Sequence, residues 1–181
     1  FFPEHLDYHG SREEYFKAKS HITTFQTEDD LFIYHPGYPE IATLAQQETK
    51  AKTIPFKTRP SFSLEGILLE GEHNVQNILG AMTVCEQMGV SADIMERAIR
   101  NFQPLPYRLK NIGTYRAITF YDDALATAPE ATIFAIQALK NVGTIFLGGT
   151  DRGYDFHALA DTIQKYQIKN IVLFPDTGAK I

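Results

Sequence analysis

The fold is indicated most clearly by residues 143–174, which read GTIFLGGTDRGYDFHALADTIQKYQIKNIVLF. Apolar runs at 143–147 and 170–174 flank a segment at 156–166 whose apolar residues recur at helical spacing. Two strands joined by a helix of this length predict a parallel βαβ unit with a right-handed crossover. A ligand of such a unit is expected at the carboxyl ends of its strands.

The rest of the chain continues this alternation of strands and helices, which defines the α/β class. The sequence predicts, in chain order, helix 11–25, strand 31–34, helix 40–47, strand 53–56, a hairpin at 61–70, a helix ending at Gly89, a helix after Ser91, strand 116–121 and helix 129–140. Ser11 and Glu14 form a capping box at the first of these helices. The strands at 116–121, 143–147 and 170–174 predict an incomplete parallel sheet.

Composition excludes several classes of protein. The 181 residues carry 17 basic and 22 acidic side chains, and this net charge of -5 argues against a nucleic-acid partner. Cys85 is the single cysteine, so an intrachain disulfide is excluded. The sequence has neither a secretory signal nor an apolar run of about 18 residues. We therefore expect a cytoplasmic protein without a membrane span.

The proline-rich segment 102–106, which reads FQPLP, suits a boundary between two packed units. It divides the chain into residues 1–103 and residues 104–181. The sequence opens on Phe1 without an initiator methionine and stops soon after a predicted strand. These features predict a fragment of a longer protein.

His5, Asp7 and His9 alternate along the chain, so an extended backbone would point all three to one side. This spacing is compatible with a zinc site and a metal hydrolase. Without a further cysteine or glutamate cluster, a chance arrangement is the favoured interpretation. The pattern supports the hydrolase hypothesis only weakly.

Lys19 lies at the edge of the apolar face of the first predicted helix. With Tyr15 at zero and about 100° per residue, Lys19 falls near 40° and Lys17 near 200°. A half-buried lysine usually extends its amine to water. The alternative is that burial keeps the amine neutral and able to react or be modified.

Asn74 and Asn77 lie three residues apart at the start of a predicted helix, so their carboxamides share one face and could bind a base edge. The alternative is that Asn74 is a helix N-cap. Asp123 ends the strand 116–121, and Thr127 follows it at the same carboxyl edge. Thr127 also forms a T-x-x-E capping box with Glu130, which would make it structural.

The glycine-rich loop at 148–153, GGTDRG, joins a predicted strand to a predicted helix. Backbone N–H groups at such a junction can hold an anion. Arg152 at the mouth of this loop favours a carboxylate or phosphate ligand. The glycines could equally be turn residues.

Taken together, these motifs resemble the Mur ligases, most closely the MurD branch. The motifs are PEHLDYHG at 3–10, the helix ending in KAK at 17–19, HNVQN at 73–77, LPYRL at 105–109, and LGGTD at 147–151 followed by DF at 155–156. Five motifs in the same order cover nearly the whole chain. Their order makes the resemblance specific.

The resemblance implies that residues 1–103 are the later part of a central ATP-binding domain. Residues 104–181 would begin a Rossmann-like C-terminal domain. It implies an ATP- and Mg²⁺-dependent ligase that adds an amino acid, by default D-glutamate, to UDP-N-acetylmuramoyl-L-alanine through an acyl phosphate. The setting would be peptidoglycan synthesis, cell shape and cell division in the cytoplasm, and the full-length protein would be a monomer.

The resemblance also implies roles for particular residues. His5 matches a magnesium-binding histidine, and Lys19 matches a carbamylated lysine that is both catalytic and a metal ligand. The remaining matches are the adenine-side Asn74 and Asn77, the nucleotide-holding Arg108 and Asp123, and the acceptor-side Thr127 and Arg152.

Two departures from the family pattern concern lysines. Residues 123–128 read DALATA where the family has DSKATN, so Leu125 replaces a lysine, and Arg152 replaces another. The phosphate-binding loop G-x-x-G-K-[ST] is also absent from these 181 residues. We therefore expect this chain alone to be inactive. The alternative hypothesis is a degenerate Mur-like module that binds a nucleotide or a partner without catalysis.

Overall fold

The chain is described by a computed structural model over residues 6–181, with side chains described from Tyr8 onward. It divides into two compact units. The first unit comprises the described residues up to Gly66 together with Gln76–Arg100, and the second comprises Ile67–Val75 and Asn101–Ile181. The assignment of residues 1–103 and 104–181 to two family domains stays a prediction.

Seven helices and six strands are assigned within the described part of the chain. The helices are α1 (Leu6–His9), α2 (Arg12–Ser20), α3 (Pro39–Gln47), α4 (Glu72–Gln87), α5 (Ala92–Asn101), α6 (Pro129–Leu139) and α7 (His157–Lys165). The strands are β1 (Leu31–Tyr34), β2 (Lys52–Pro55), β3 (Lys110–Tyr115), β4 (Ile118–Asp122), β5 (Thr144–Gly149) and β6 (Asn170–Asp176). The mixed composition with two parallel strand pairs confirms the α/β class.

In the first unit, β1 and β2 pair in parallel, with Leu31 opposite Lys52. Helix α3 makes the crossover between them. The core of this pair consists of Phe32, Leu44, Ala45 and Ala51. Removing such apolar surface from water is the main term that holds α3 against the sheet.

Helix α4 packs closely on the residue that follows β2. A Cβ added to Gly80 would lie 2.7 Å from the Phe56 ring, so only glycine leaves room for this contact. One residue further on, the Lys57 N–H donates to Thr83 Oγ1 over 3.0 Å. The carboxyl end of β2 is thereby fixed against α4.

In the second unit, β5 and β6 pair in parallel, with Thr144 opposite Asn170. The predicted βαβ unit is therefore present, with α7 as its crossover helix. The residues of its core are Ile136, Leu147, Leu159, Ile163 and Ile168, contributed by α6, β5, α7 and the segment before β6.

The predicted three-stranded parallel sheet is wrong, because the strand expected at 116–121 belongs to an antiparallel hairpin. Strand β4 pairs with β3. The turn between them has positive φ at both Arg116 (49°) and Ala117 (62°), which is the geometry of a tight two-residue hairpin. Neither residue is the glycine or asparagine that is typical of such a turn, so β3 could not be predicted from the sequence pattern.

Two further expectations are wrong in the first part of the chain. Helix α2 ends at Ser20 and passes into a 3₁₀ turn at His21–Thr23, so the helix expected at 11–25 is shorter. Ile22 and Phe25 are 66% and 89% exposed and share no buried face with Tyr15. The hairpin expected at 61–70 is a loop of turns and bends. In contrast, the Ser11 cap is confirmed, because its Oγ accepts the Glu14 N–H.

Within residues 6–181, none of the helices combines the length and the apolar character that a membrane crossing requires.

Gly148 provides a test of the β5–β6 pairing. An added Cβ would lie 2.5 Å from the Phe174 carbonyl oxygen, and the residue has φ +148°. The neighbouring Gly149 has φ +138°, and no atom outside Gly149 and its two chain neighbours lies within 4 Å of the position that an added Cβ would take. We expect Gly149→Ala to cost about 1–3 kcal/mol through backbone strain, and Gly148→Ala to cost at least about 1 kcal/mol more because its clash is with backbone.

The measurement is urea-induced unfolding of both variants followed by circular dichroism. Equal destabilisation of Gly148→Ala and Gly149→Ala would contradict the close approach of β5 to β6.

Candidate functional site

Arg108 lies in a short segment that is tied to the residues after β4 by two hydrogen bonds, one to a side chain and one between backbone groups. The Leu109 N–H donates to Asp123 Oδ1 over 2.8 Å. In the other direction, the Leu125 N–H donates to the Tyr107 carbonyl over 2.9 Å. We call this pair of hydrogen bonds the 107–109 clamp. It brings two of the predicted nucleotide-holding residues, Arg108 and Asp123, to one place in the second unit.

The backbone of the clamp is strained. Tyr107 and Leu109 have φ of 62° and 44°, in the left-handed region that non-glycine residues avoid. Such conformations cost about 1–3 kcal/mol each and persist where the surroundings enforce them. Arg108, between them, is exposed. The clamp therefore constrains the backbone on both sides of Arg108, whose side chain is open to solvent.

Asp123 and His73 are the half-buried titratable groups beside Arg108. Burial raises the pKa of Asp123, although the Leu109 N–H and the charge of Arg108 act in the opposite direction. Burial lowers the pKa of His73; the charge of Asp123 opposes this shift and that of Arg108 adds to it. A carboxylate, a guanidinium and an imidazole thus form one electrostatic cluster.

The His73 ring stacks on Phe134 of α6, with 5.6 Å between ring centroids. The sequence pattern includes His73 only as part of the HNVQN motif and assigns it no role. The position of His73 next to Asn74 could have marked it as a candidate residue. Its contact with Phe134 of α6 could not be predicted from the sequence.

The two asparagines lie on α4. The helix begins at Glu72, so Asn74 is inside its first turn and is not the N-cap that the alternative interpretation assumed. Its Nδ2 donates to the Glu70 carbonyl over 2.7 Å. Asn77, one turn further along, is exposed and belongs to the first unit. Their adenine-side role stays a prediction.

Thr127 is exposed in the loop between β4 and α6. Ala128 is the N-cap residue of α6, and the helix starts with Pro129. The capping-box interpretation of Thr127 with Glu130 is therefore wrong. Leu125, at the position where the family has lysine, is 43% exposed. Both side chains are accessible from solvent.

The glycine-rich loop differs from the expected helix-terminal anion site. Residues 150–156 separate β5 from α7, and Asp155 Oδ1 accepts the His157 N–H at the helix start over 2.9 Å. Asp151 accepts the Gly153 N–H and pairs with Lys180, which lowers the pKa of that carboxyl. Arg152 is exposed beside this pair. An anion would therefore meet Arg152 rather than the N-terminus of α7.

Lys19 lies in the first unit, near the end of α2. Its ammonium is 5.4 Å from the centroid of the Tyr15 ring. The residue is exposed, so the burial on which the alternative interpretation depended is absent and the inward-facing position predicted for Lys19 is wrong. Because α2 ends one residue later, the helical face calculated from Tyr15 to Phe25 does not persist. Lys19 nevertheless lines a cavity of about 200 Å³.

This cavity adjoins the carboxyl ends of β1 and β2, which are followed directly by His35 and Phe56. His35 Nδ1 accepts the Gly37 N–H over 2.9 Å, and its Nε2 lies 3.1 Å from Gln76 Oε1. His35 was not predicted as a site residue. Its position immediately after β1, a strand of a parallel pair, could have indicated a site residue, because ligands bind at the carboxyl ends of such strands.

The predicted metal ligand His5 lies outside the described residues, and so does the side chain of Asp7. Among the side chains that the structure does describe, no group of three histidine, cysteine or acidic residues could hold a metal ion. The extended backbone assumed for the His5, Asp7 and His9 pattern is wrong, because Asp7 and His9 belong to the helix α1 and residues two positions apart on a helix do not share a face.

Comparisons with known proteins define the class of this chain. Residues 1–66 match the family model of the Mur ligase middle domain. Over 97% of its length, the chain is 34% identical to the UDP-N-acetylmuramoylalanine--D-glutamate ligase of Latilactobacillus sakei subsp. sakei (strain 23K), and it covers 42% of that protein. It is 33% identical over 99% of its length to the ligase of the same name from Halalkalibacterium halodurans, covering 44% of it.

The fold is similar to that of crystal structure I of MurF from Acinetobacter baumannii. The TM-score is 0.73 at 22% identity, over 93% of this chain and 44% of that chain. The chain belongs to the Mur ligase family, as its motifs predict. It is similar to the D-glutamate ligases named above, and it spans less than half the length of these relatives.

Asp123→Asn tests the electrostatics of the cluster, because the variant keeps an oxygen for the Leu109 N–H and removes the charge. Burial raises the pKa of Asp123, so the folded state retains the proton at pH values at which the unfolded state has lost it. The free energy of unfolding therefore falls as pH rises through that interval. We expect Asp123→Asn to be more stable than the wild type at neutral pH, with the gain vanishing below about pH 4.

The measurement is urea unfolding of both proteins over a range of pH values. Asp122→Asn introduces the same carboxamide one residue away and serves as the matched control. If Asp123→Asn were less stable than the wild type at every pH, the claim that the buried charge of Asp123 destabilises the fold would be wrong.

Proposed function

We propose that the chain provides part of the catalytic apparatus of an ATP-dependent amide ligase of peptidoglycan synthesis. The substrates are ATP, UDP-N-acetylmuramoyl-L-alanine and an amino acid, with D-glutamate as the default acceptor. The reaction transfers the γ-phosphoryl group of ATP to the precursor's carboxylate, which gives an acyl phosphate and ADP. The amine of the incoming amino acid then attacks the acyl carbon, and phosphate leaves.

The 107–109 clamp is the observation that carries this proposal. It holds an exposed guanidinium beside a half-buried carboxylate. Arg108 offers the planar donors that suit phosphate oxygens. Asp123 keeps one carboxylate oxygen beyond the Leu109 hydrogen bond, and that oxygen can accept a hydrogen bond from a ribose hydroxyl. The pair therefore has the donors and acceptors that a nucleotide requires.

Phosphoryl transfer depends mainly on positioning and on neutralising negative charge. Fixed backbone around Arg108 serves the first requirement, since Tyr107 and Leu109 adopt enforced left-handed conformations. The relatives named as D-glutamate ligases support the assignment of the substrates.

Lys19 is the residue that we assign to the metal. A lysine ammonium is a poor ligand for Mg²⁺, which prefers oxygen. The deprotonated form of its exposed amine can attack carbon dioxide, which forms an N–C bond and releases a proton to solvent, and the resulting carbamate would offer an anionic oxygen. Lys19 therefore fits a magnesium site only in the carbamylated form, with His5 as its proposed partner. Bound magnesium would neutralise phosphate charge during the transfer.

Arg152 and Thr127 are assigned to the acceptor amino acid. Both are exposed in the second unit, and Arg152 can hold a carboxylate through two parallel hydrogen bonds. Leu125 provides no charge where the family has lysine. The acceptor site thus has one cation fewer than the family pattern, which leaves D-glutamate as a default rather than a derived choice.

The second candidate function is a Mur-like module that binds a nucleotide or a partner without catalysis. The observation that favours it is the apolar, 43% exposed Leu125 at the lysine position, together with the departures from the family pattern at Ala124 and Ala128. ADP release that depends on an added amino acid would exclude this alternative.

Lys19→Ala tests the assigned role in the protein expressed from its complete reading frame. We expect amino-acid-dependent ADP release to fall by at least about a hundredfold, because the carbamate oxygen is lost. A short-chain carboxylic acid added to the assay should restore part of the activity by supplying that oxygen. ADP release is followed with a coupled assay.

Lys17→Ala is the matched control, because Lys17 is an exposed lysine of the same helix that lies two residues away. We expect this variant to retain wild-type activity. Full activity of Lys19→Ala without any added acid would overturn the role of Lys19.

A further inference from the structure

The cavity that Lys19 lines extends well beyond that residue. It has a volume of about 200 Å³, and the residues that line it all belong to the first unit. Its walls come from α2 and the turn after it, from β1, from α3 and from the residue that follows β2. Pockets for drug-sized ligands measure about 300–1,000 Å³. The cavity therefore suits a smaller molecule.

Apolar side chains form most of the wall. The rings of Phe32 and Tyr34 on β1 are stacked with 6.1 Å between their centroids, and the centroid of the Phe56 ring lies 5.4 Å from that of His35. The remaining apolar lining residues are Phe16, Ile22, Ile33, Ile41 and Leu44. Such a wall favours a ligand with an aromatic or aliphatic body, because binding removes apolar surface of both from water.

Lys19 provides the positive charge at this cavity. Among the lining residues that the structure describes, none is acidic. Both ring nitrogens of His35 are already engaged, Nδ1 by the Gly37 N–H and Nε2 by Gln76 Oε1. The Lys19 side chain, whose ammonium lies 5.4 Å from the centroid of the Tyr15 ring, is open to solvent. The cavity thus combines an apolar interior with one accessible cation, which complements a small apolar anion.

The position of the cavity in the fold is also that of a ligand site. His35 and Phe56 directly follow β1 and β2, so the cavity adjoins the carboxyl ends of a parallel strand pair. Ligands of open α/β sheets bind at this edge. One ammonium balances the single charge of a carboxylate, whereas a phosphate group carries a charge of about -1.5 to -2. The geometry therefore favours a monocarboxylate.

We propose that this cavity is a regulatory site for a small apolar monocarboxylate. The apolar body of the ligand occupies the interior, and its carboxylate forms an ion pair with the Lys19 ammonium. This inference rests on the proposed function, in which Lys19 takes part as a carbamate. A carboxylate that pairs with Lys19 keeps carbon dioxide away from the amine. Occupation of the cavity therefore lowers the ligase activity.

Binding is tested with hydrocinnamate, whose phenyl ring and single carboxylate match the apolar wall and Lys19. The protein is expressed from its complete reading frame, and binding is measured by calorimetry in bicarbonate-depleted buffer without ATP. We expect a dissociation constant in the millimolar range, because so small a ligand gains little beyond the cost of association. Hydrocinnamyl alcohol, which has the same ring without the charge, should bind at least about threefold more weakly.

Ile22→Glu places a carboxylate at the cavity without disturbing the core, because the Ile22 side chain is 66% exposed. We expect charge repulsion to weaken the binding of hydrocinnamate at least about threefold. Lys19→Ala should weaken it to a similar extent, because the ion pair is lost. Ile94→Glu is the matched control, since it makes the same substitution at an isoleucine of α5 that is 50% exposed and is not a lining residue. This control should bind hydrocinnamate like the wild type.

Regulation is tested by amino-acid-dependent ADP release. At about ten times its dissociation constant, hydrocinnamate should lower the rate about tenfold, because about one protein molecule in eleven then has an empty cavity. Ile22→Glu should need at least about threefold more hydrocinnamate for the same inhibition. Unchanged binding in either Ile22→Glu or Lys19→Ala, or an unchanged rate of ADP release with the acid bound, would overturn the proposal.

The precursor is the other source of a carboxylate. Displacement of hydrocinnamate by UDP-N-acetylmuramoyl-L-alanine would mean that the cavity belongs to the precursor's own site, and the regulatory role would be wrong.

Failure of this inference is distinct from failure of the proposed function. If Lys19→Ala abolishes ADP release and hydrocinnamate does not bind to the wild type, the cavity alone is wrongly assigned. If Lys19→Ala keeps full ADP release, the role of Lys19 in the reaction is wrong, and the regulatory inference falls with it.

Discussion

The hydrogen bond from the Leu109 N–H to Asp123 is the interaction on which the candidate site depends. Leu109 is buried and has a left-handed backbone. An unpaired buried N–H costs about 1–3 kcal/mol. By accepting the Leu109 N–H, Asp123 avoids this cost. The same carboxylate is half-buried, and its pKa is raised by that burial. The hydrogen bond of Asp123 therefore stabilises the fold, whereas the burial of its negative charge destabilises it. Buried carboxylates with shifted pKa values are typical of functional sites.

The position of Arg108 follows from this hydrogen bond. Arg108 belongs to neither a helix nor a strand, and its backbone is held by the left-handed residues on either side and by the tie to the loop after β4. In the first unit, parallel pairing of β1 and β2 serves a similar purpose, because it brings His35 and Phe56 to the cavity that Lys19 lines. In each unit, residues of the candidate site follow strand ends, since His35 follows β1 in the first unit and Asp123 follows β4 in the second.

Much of the secondary structure could be predicted from periodicity and capping. The pairing of β5 with β6 and the capping of α2 by Ser11 depend on local patterns, and both are confirmed. The hairpin of β3 and β4 could not be predicted, because Arg116 and Ala117 adopt positive φ without the usual turn residues. The burial of Lys19 was predicted wrongly because the helical wheel assumed a helix longer than α2.

The candidate site shows the same division. The HNVQN and LPYRL motifs pointed to Asn74 and Arg108, and the family relationship that they indicated is confirmed by the comparisons. The stacking of His73 on Phe134 joins residues about sixty positions apart in the sequence, and no local pattern encodes it.

The central step of the proposed reaction is the transfer of phosphate to a carboxylate before the amide forms. The most direct test uses UDP-N-acetylmuramoyl-L-alanine labelled with ¹⁸O in its carboxylate, together with ATP, D-glutamate and the protein expressed from its complete reading frame. An acyl phosphate intermediate predicts that one ¹⁸O atom appears in the released inorganic phosphate, measured by mass spectrometry. Amide product accompanied by unlabelled phosphate, or the absence of ADP and product, would contradict this mechanism.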